Sequence, residues 1–199
     1  FSTKHHEKYQ YTFFISLVFI LTLCCLVSSF YYLYHIQKTC GDPIRSDGLG
    51  YYSYLPAIFK YHDLSFSFLG ADSSIAGVYV NSSGHVINKY PIGTAILQSP
   101  FYFVADIICN LLPDYPTDGF SSPYQYAIIA STSFYFIVGL YILIKILKKY
   151  FSVKIVLLTT ICMVWGTNLF HYATFDASFS HIYSFFSITV FIFLTDLIE

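Results

Sequence analysis

The sequence predicts an all-α protein, a polytopic bundle of transmembrane helices whose long extracytoplasmic first loop carries a short surface helix. Of the 199 residues, 56% are hydrophobic and 11% are charged, whereas soluble domains carry about a quarter charged residues. Several apolar runs approach the length of about 20 residues that a membrane-spanning helix needs. The net charge of −1 excludes a basic surface for nucleic acid. We therefore expect a multi-pass integral membrane protein whose first partner is the lipid bilayer.

The first apolar run covers residues 11–34 and contains no Asp, Glu, Lys, Arg or His. Its roughly 24 residues, at 1.5 Å each, are enough to cross a bilayer. The run is too long for a signal-peptide core and lacks a small-residue cleavage site, so we expect a retained helix. Lys4 and Lys8 precede it, and this basic flank predicts a cytoplasmic N-terminus.

A polar stretch, residues 35–90, follows the first span and is predicted to be the outer loop. Loops of this length usually carry function. Residues 51–61 are aromatic with a polar face, which predicts a short helix lying along the membrane surface. Residues 72–84 are rich in Ser and Gly, which is typical of a flexible turn region or a small hairpin.

The remaining apolar runs complete a single membrane domain over residues 1–199, which we interpret as the N-terminal part of a longer protein. The run 91–112 contains Pro100 and Asp106, so it either spans the membrane or dips in and returns. Three further runs are predicted to be transmembrane helices: 124–144, 155–170 and 182–195.

Charge decides the predicted topology. Four lysines cluster around the connector that follows the 124–144 helix, namely Lys145, Lys148, Lys149 and Lys154. Short basic connectors are typically cytoplasmic, but a spanning 91–112 segment would place this connector outside. We therefore favour an incomplete or re-entrant 91–112 segment. This topology places Asp47 and the histidine-bearing loop 171–181 together on the extracytoplasmic side.

Asp47 is the candidate catalytic residue, because it follows the first span and two aromatic rings, Tyr51 and Tyr52, lie close to it in sequence. A carboxylate there can act as a general base on a hydroxyl, or ligate a divalent metal together with Asp42. It can equally be the cap of the predicted surface helix. Spacing alone does not separate these interpretations.

Other polar residues of the outer side are candidates for binding a substrate. Arg45 and Lys89 can bind a lipid-linked phosphate at the headgroup level, although each taken singly suits an interfacial anchor equally well. His171, Asp176 and His181 have spacings that fit no helical metal motif, so no metal site is expected. Ionisable groups facing a cavity in a membrane protein are functional candidates, and the alternative for His181 is a helix-end residue.

A first span, an acidic outer loop, a surface helix and the turn 88–93 in this order resemble the polytopic GT-C glycosyltransferases. This superfamily includes the protein O-mannosyltransferases and the aminoarabinose transferases of lipid A in the bacterial cell envelope. The resemblance implies a polyprenyl-phosphate sugar donor, an extracytoplasmic acceptor hydroxyl or amine, and a base that Asp47 matches by position. In the turn, Tyr90 replaces a first proline. Gly48 and Leu49 follow Asp47 where the superfamily often has a second acid, which favours the base over the metal ligand.

We therefore expect glycosyl transfer from a polyprenyl-phosphate sugar, in which Asp47 deprotonates the acceptor and Arg45 or Lys89 stabilises the leaving phosphate. No cofactor is required, although a divalent metal remains compatible. A transporter or flippase-like protein is a second hypothesis, for which Asp106 and Pro100 are the only hints. A non-catalytic subunit of a membrane complex is a third.

Overall fold

The structure of the protein is a computed structural model that describes residues 42–74 and 76–198, with scattered positions between 13 and 31. Most of the predicted 11–34 span and residues 35–41 lie outside the described residues. The described positions of that run, Leu21 and Cys25 among them, are helical. Three later helices are long and apolar enough to cross a membrane, which fits a membrane protein.

The predicted first loop holds short elements. Helix α1 covers Ser46–Tyr52 and α2 covers Tyr54–Pro56. A π-helical turn, Ala57–Tyr61, and a 3-10 segment, Ser67–Ser73, follow them. Strands β1 (Val78–Val80) and β2 (Val86–Asn88) then pair antiparallel, with Tyr79 opposite Ile87. Because of this hairpin, the described part of the chain is predominantly helical but not all-α.

Five helices make up the rest of the chain: α3 (Gly93–Leu111), α4 (Ser122–Tyr150), α5 (Val153–Trp165), α6 (Leu169–Thr174) and α7 (His181–Ile198). The candidate spans are α3, α4 and α7. Helix α4 has 29 residues and is therefore about 43 Å long. It is the central helix, because both α3 and α7 pack along it.

Helix α3 runs antiparallel to the first half of α4. The Tyr135 hydroxyl donates to the Leu97 carbonyl at 2.8 Å, and the Tyr124 hydroxyl donates to Asp106 at 2.5 Å. A residue late in α3 thus meets one early in α4. Helix α3 therefore ends near the start of α4 and does not extend along its lysine-rich end.

Helix α7 runs parallel to the second half of α4. The hydroxyls of Thr132 and Tyr183 lie 3.1 Å apart near the start of α7, and Lys149 pairs with Asp196 near its end. Between these points, Phe185 packs against Gly139. The start of α7 consequently lies near the middle of α4, and its end lies beside the lysine-rich end of α4.

Two predicted segments differ from the observed helices. The run 91–112 contains one continuous helix that passes through Pro100, so it does not fold back on itself. The predicted helix 155–170 is instead interrupted after Trp165, and α5 has 13 residues, about 20 Å, against the 30 Å of a bilayer core.

The helical region predicted over residues 51–61 begins at Ser46, and its first half packs inside the protein, whereas Ile58, Phe59 and Tyr61 are exposed. Tyr52 is completely buried, its hydroxyl donates to the Gly119 carbonyl at 2.5 Å, and its ring contacts Phe120. Leu55 is also buried in the same cluster. Tyr52 is therefore a core residue that holds the loop against α3 and α4.

Gly48 is the point of closest approach between α1 and the α6–α7 loop (175–180). A Cβ built on Gly48 would lie 1.7 Å from the Ser178 hydroxyl oxygen. That hydroxyl donates to the Pro43 carbonyl at 2.7 Å, and the Gln98 side chain donates to the Ser178 carbonyl at 3.3 Å. The start of α1, helix α3 and the α6–α7 loop therefore meet at Ser178. They can pack this closely because residue 48 has no side chain.

We predict that Gly48→Ala lowers the midpoint of thermal unfolding of the purified protein in detergent. The added methyl group must displace Ser178, and over-packing of this kind costs about 1–3 kcal/mol. Gly93→Ala is the control, because no atom lies within 4 Å of a Cβ at that position in α3. An unchanged midpoint for Gly48→Ala would contradict the close packing of α1 on the α6–α7 loop.

Candidate functional site

The candidate site lies where α1, the linker between β2 and α3, and the α6–α7 loop meet. The contacts described below connect seven of the side chains predicted for the site: Arg45, Asp47, Tyr51, Lys89, His171, Asp176 and His181. Tyr52 does not belong to this group, because its hydroxyl points to Gly119 on the opposite side of the loop.

Asp176 joins the two halves of the site. Arg45 Nη2 donates to Asp176 Oδ1 at 2.9 Å, and His171 Nε2 donates to Asp176 Oδ2 at 2.6 Å. Both carboxylate oxygens are thus engaged by side chains from different parts of the chain. Asp176 is suited to holding Arg45 and His171 in place, rather than to accepting a proton from a substrate.

Asp47 differs from Asp176 in its surroundings. It lies in the first turn of α1, whose N-cap residue is Arg45, so the interpretation of Asp47 as a helix cap is wrong. Among the described residues, the Asp47 carboxylate takes part in none of the ion pairs. It is half-buried. A carboxylate that is close to cations and not committed to one of them is available as a base.

Tyr90 is a site residue that the sequence analysis noted only as a replacement for proline. Its ring centroid lies 4.4 Å from that of Tyr51, and the residue is 8% exposed. Burial and the nearby Asp47 carboxylate raise the pKa of Tyr90. Its buried hydroxyl lies beside the Asp47 carboxylate and the Lys89 ammonium and interacts with both. No sequence signal distinguishes this tyrosine from the many others in the chain.

Lys89 places a positive charge beside Tyr90. Its ammonium lies 4.7 Å from the centroid of the Tyr90 ring, and the Tyr90 hydroxyl and Asp47 carboxylate raise the pKa of Lys89. The aliphatic part of the side chain crosses Gly77, where a Cβ would lie 2.6 Å from Lys89 Cε. Gly77 has a φ of +68°, a conformation that favours glycine. The hairpin thus directs Lys89 towards the site.

The two histidines lie at the other side of the site. The imidazole of His181 stacks on the ring of Tyr172, with centroids 3.5 Å apart and planes 3° apart. The Asp47 and Asp176 carboxylates are both close enough to act electrostatically on His181. The described residues contain no group of three side chains that suits a metal ion, and neither Asp42 nor His171 is part of one.

A groove of about 490 Å³ opens beside the site between α3 and α7. Tyr51 stands at one end of it. Its walls combine hydroxyl groups with aliphatic side chains, among them Thr94, Leu97, Ser180, Ser184, Ser187 and Ile188. Both of these helices are candidate spans.

Asp106, the hint of a transporter, lies apart from the site. Its carboxylate pairs with Lys60 and accepts a hydrogen bond from Tyr124, so its charge is balanced within the protein. It lies 13 residues after Gly93, the first residue of α3, which is about 20 Å along the helix. Asp106 therefore has a structural explanation, as an anchor between the first loop and α4.

Comparison with known proteins adds no assignment to this geometry. No family model, no curated protein and no solved structure matches the chain. The resemblance to GT-C glycosyltransferases stays a prediction. A function for the site consequently has to follow from the chemistry of its own residues.

We predict a favourable coupling of about 0.5–1 kcal/mol between Arg45 and Asp176, since the pair is partly exposed and solvent screens it. Arg45→Gln, Asp176→Asn and the double variant form a double-mutant cycle, which is read as the free energy of unfolding in detergent. Asp176→Asn should also release His171. A second cycle, which combines Asp176→Asn with His171→Gln, should therefore give a favourable coupling between His171 and Asp176 at a pH where the imidazole is protonated. Additive losses in both cycles would remove Asp176 as the link between the two loops.

Proposed function

We propose that the protein is a membrane glycosyltransferase that moves a sugar from a polyprenyl-phosphate donor to an extracytoplasmic acceptor. The observation that carries the proposal is the Asp47 carboxylate, which forms no ion pair among the described residues and lies in a site with the cations Arg45 and Lys89. The adjacent groove between two candidate spans supports a lipid-linked donor. No metal ligand set is needed for this chemistry.

In the proposed reaction, Asp47 takes the proton from an acceptor hydroxyl or amine as that group attacks the anomeric carbon. The bond between this carbon and the phosphate oxygen breaks, and the polyprenyl phosphate leaves with the electron pair. Lys89 and Arg45 stabilise the negative charge of the leaving phosphate. The ion pair with Asp176 holds the Arg45 guanidinium at the site. A single base and direct attack imply inversion at the anomeric carbon.

The lengths of the helices support an extracytoplasmic site. Thr132 contacts the start of α7, and Lys149 contacts its end. These residues are 17 positions apart, about 26 Å, which is close to the 30 Å of a bilayer core. This length supports the proposal that the site and the lysine-rich connector lie at opposite membrane faces, and the connector's positive charge favours the cytoplasm. Helix α3 packs only on the first half of α4, so we propose that it crosses the bilayer incompletely.

Labelling of single cysteines tests this topology in intact cells. In a variant without the native cysteines, Ser152→Cys in the lysine connector should react with a membrane-impermeant maleimide only after the cells are permeabilised. Ser83→Cys, in the exposed turn between β1 and β2, should react from outside without permeabilisation. Reaction of Ser152→Cys from outside would reverse the proposed orientation.

Asp47→Asn should lower sugar transfer by about 10²–10⁴-fold, the usual contribution of a general base. The assay uses the purified protein with a membrane extract that supplies lipid-linked sugars and acceptors. Asp63→Asn is the matched control, because Asp63 lies in an exposed turn where Ser65 and Ser67 donate to its carboxylate. Full transfer by Asp47→Asn would remove Asp47 as the base.

A further inference from the structure

Neither histidine of the site has a task in the proposed reaction, which leaves a proton on Asp47. A general base has to lose this proton before it can act again. Imidazole is the side chain that ordinarily gains and loses a proton near neutral pH. His171 and His181 are therefore the groups to which this proton can pass.

Packing brings His181 close to Asp47. The α6–α7 loop, which leads directly into His181, touches α1 at Gly48, the residue after Asp47. Tyr51 lies one turn after Asp47 on the same face of α1, and it lines the groove together with Ser180, the residue before His181. The Asp47 carboxylate accordingly lies close enough to the His181 imidazole to act on it electrostatically.

The His181 imidazole is held in one orientation but is open to solvent. Its ring stacks on that of Tyr172 in α6, with centroids 3.5 Å apart and planes 3° apart. Stacking covers one face of the ring but not its edge, which carries both nitrogens. His181 is an exposed residue, whereas Asp47 is half-buried. A proton that passes from Asp47 to His181 therefore moves outwards.

The titratable groups that act on His181 come from three segments of the described chain. Asp47 in α1 is one, and the others are Asp176 in the α6–α7 loop and His171 in α6. His171 Nε2 lies 2.6 Å from one oxygen of Asp176, and Arg45 pairs with the other oxygen. Asp176 thus fixes the His171 ring and stabilises its protonated form. The His171 side chain is 53% exposed, so it connects the site to bulk water.

We propose that His181 takes the proton from Asp47 after each sugar transfer and passes it to His171, which releases it to bulk water. In the first step, the Asp47 carboxyl gives its proton to a bridging water molecule, which gives one of its own protons to an imidazole nitrogen. Asp47 is then a carboxylate again, and release of the proton at His171 returns both imidazoles to the neutral form. His181 acts through Asp47 and forms no bond with sugar or phosphate. This inference rests on the proposed function, in which Asp47 is the base.

His181→Gln tests the proposal, because an amide does not carry a proton at neutral pH. With the protein in excess over the lipid-linked sugar, the first turnover should keep the wild-type rate, since Asp47 begins as a carboxylate. With the lipid-linked sugar in excess, repeated turnover should slow by about 10–10²-fold, up to the lower end of the range for proton-transfer groups. Single-turnover kinetics separate bond formation from the steps that follow it. The assay uses the purified protein with the same membrane extract as for Asp47→Asn.

Added imidazole gives a second readout that a merely structural role of His181 would not produce. The position is exposed, so millimolar imidazole in a weakly buffered solution should restore repeated turnover in His181→Gln. The first turnover of the variant and both rates of the wild type should not change. A distorted site would instead slow the first turnover and would not recover with imidazole.

His85→Gln is the matched control, because His85 is exposed in the turn between β1 and β2. Both rates should stay at the wild-type level in this variant. His171→Gln keeps the pair between Arg45 and Asp176, and it should slow repeated turnover without slowing the first. Unchanged repeated turnover in His171→Gln would overturn the passage of the proton through His171.

The proton path and the general base can fail separately. Unchanged repeated turnover in His181→Gln, or an equal loss in first and repeated turnover, would overturn the proton path. If Asp47→Asn is inactive at the same time, the base stands and only the path is wrong. Full transfer by Asp47→Asn would instead remove the base and, with it, the source of the proton.

Discussion

The close contact between α1 and the α6–α7 loop determines whether the candidate site exists. Arg45 and Asp176 are 131 positions apart in the chain and form an ion pair at 2.9 Å. Beside them, Gly48 admits Ser178 at a distance that no other residue type would allow. The ion pair contributes little free energy at a partly exposed position, so close packing must supply most of the specificity. Without this contact, Asp47 and the histidines would belong to separate surfaces.

The same contact gives two nearby carboxylates different roles. Asp176 has a partner on each oxygen, and its negative charge is offset by Arg45 and, when protonated, His171. Asp47 has cations in its neighbourhood but takes part in none of the ion pairs among the described residues. A base must be able to take a proton without breaking the structure that positions it, and protonation of Asp176 would weaken both of its pairs. Asp47 fits this requirement better, since it takes no part in the ion pair between Arg45 and Asp176 that joins the two segments.

The sequence predicts well those features that a membrane imposes locally. A candidate span needs a continuous apolar run, and α3, α4 and α7 all coincide with such runs. It predicts poorly what depends on contacts between distant residues. Gly48 and Gly50, which follow Asp47 in the sequence, lie inside α1 and are approached by Ser178 and Tyr90 of the same chain. The contacts of Tyr90 with Tyr51, Lys89 and Asp47 could not be found from sequence, because they result from the packing of separate segments.

The length of α4 explains why reactive groups collect at one end of the bundle. Its second half pairs with α7 over nearly the thickness of a bilayer core. Its first half pairs with α3 through Tyr124 and Tyr135, and with the first loop through Gln125. Polar side chains are costly within the hydrocarbon and inexpensive at the headgroup level. Arg45, Asp47 and Lys89 can therefore gather where α7 begins. In the proposed function, this is also the depth at which the phosphate of the lipid-linked sugar lies.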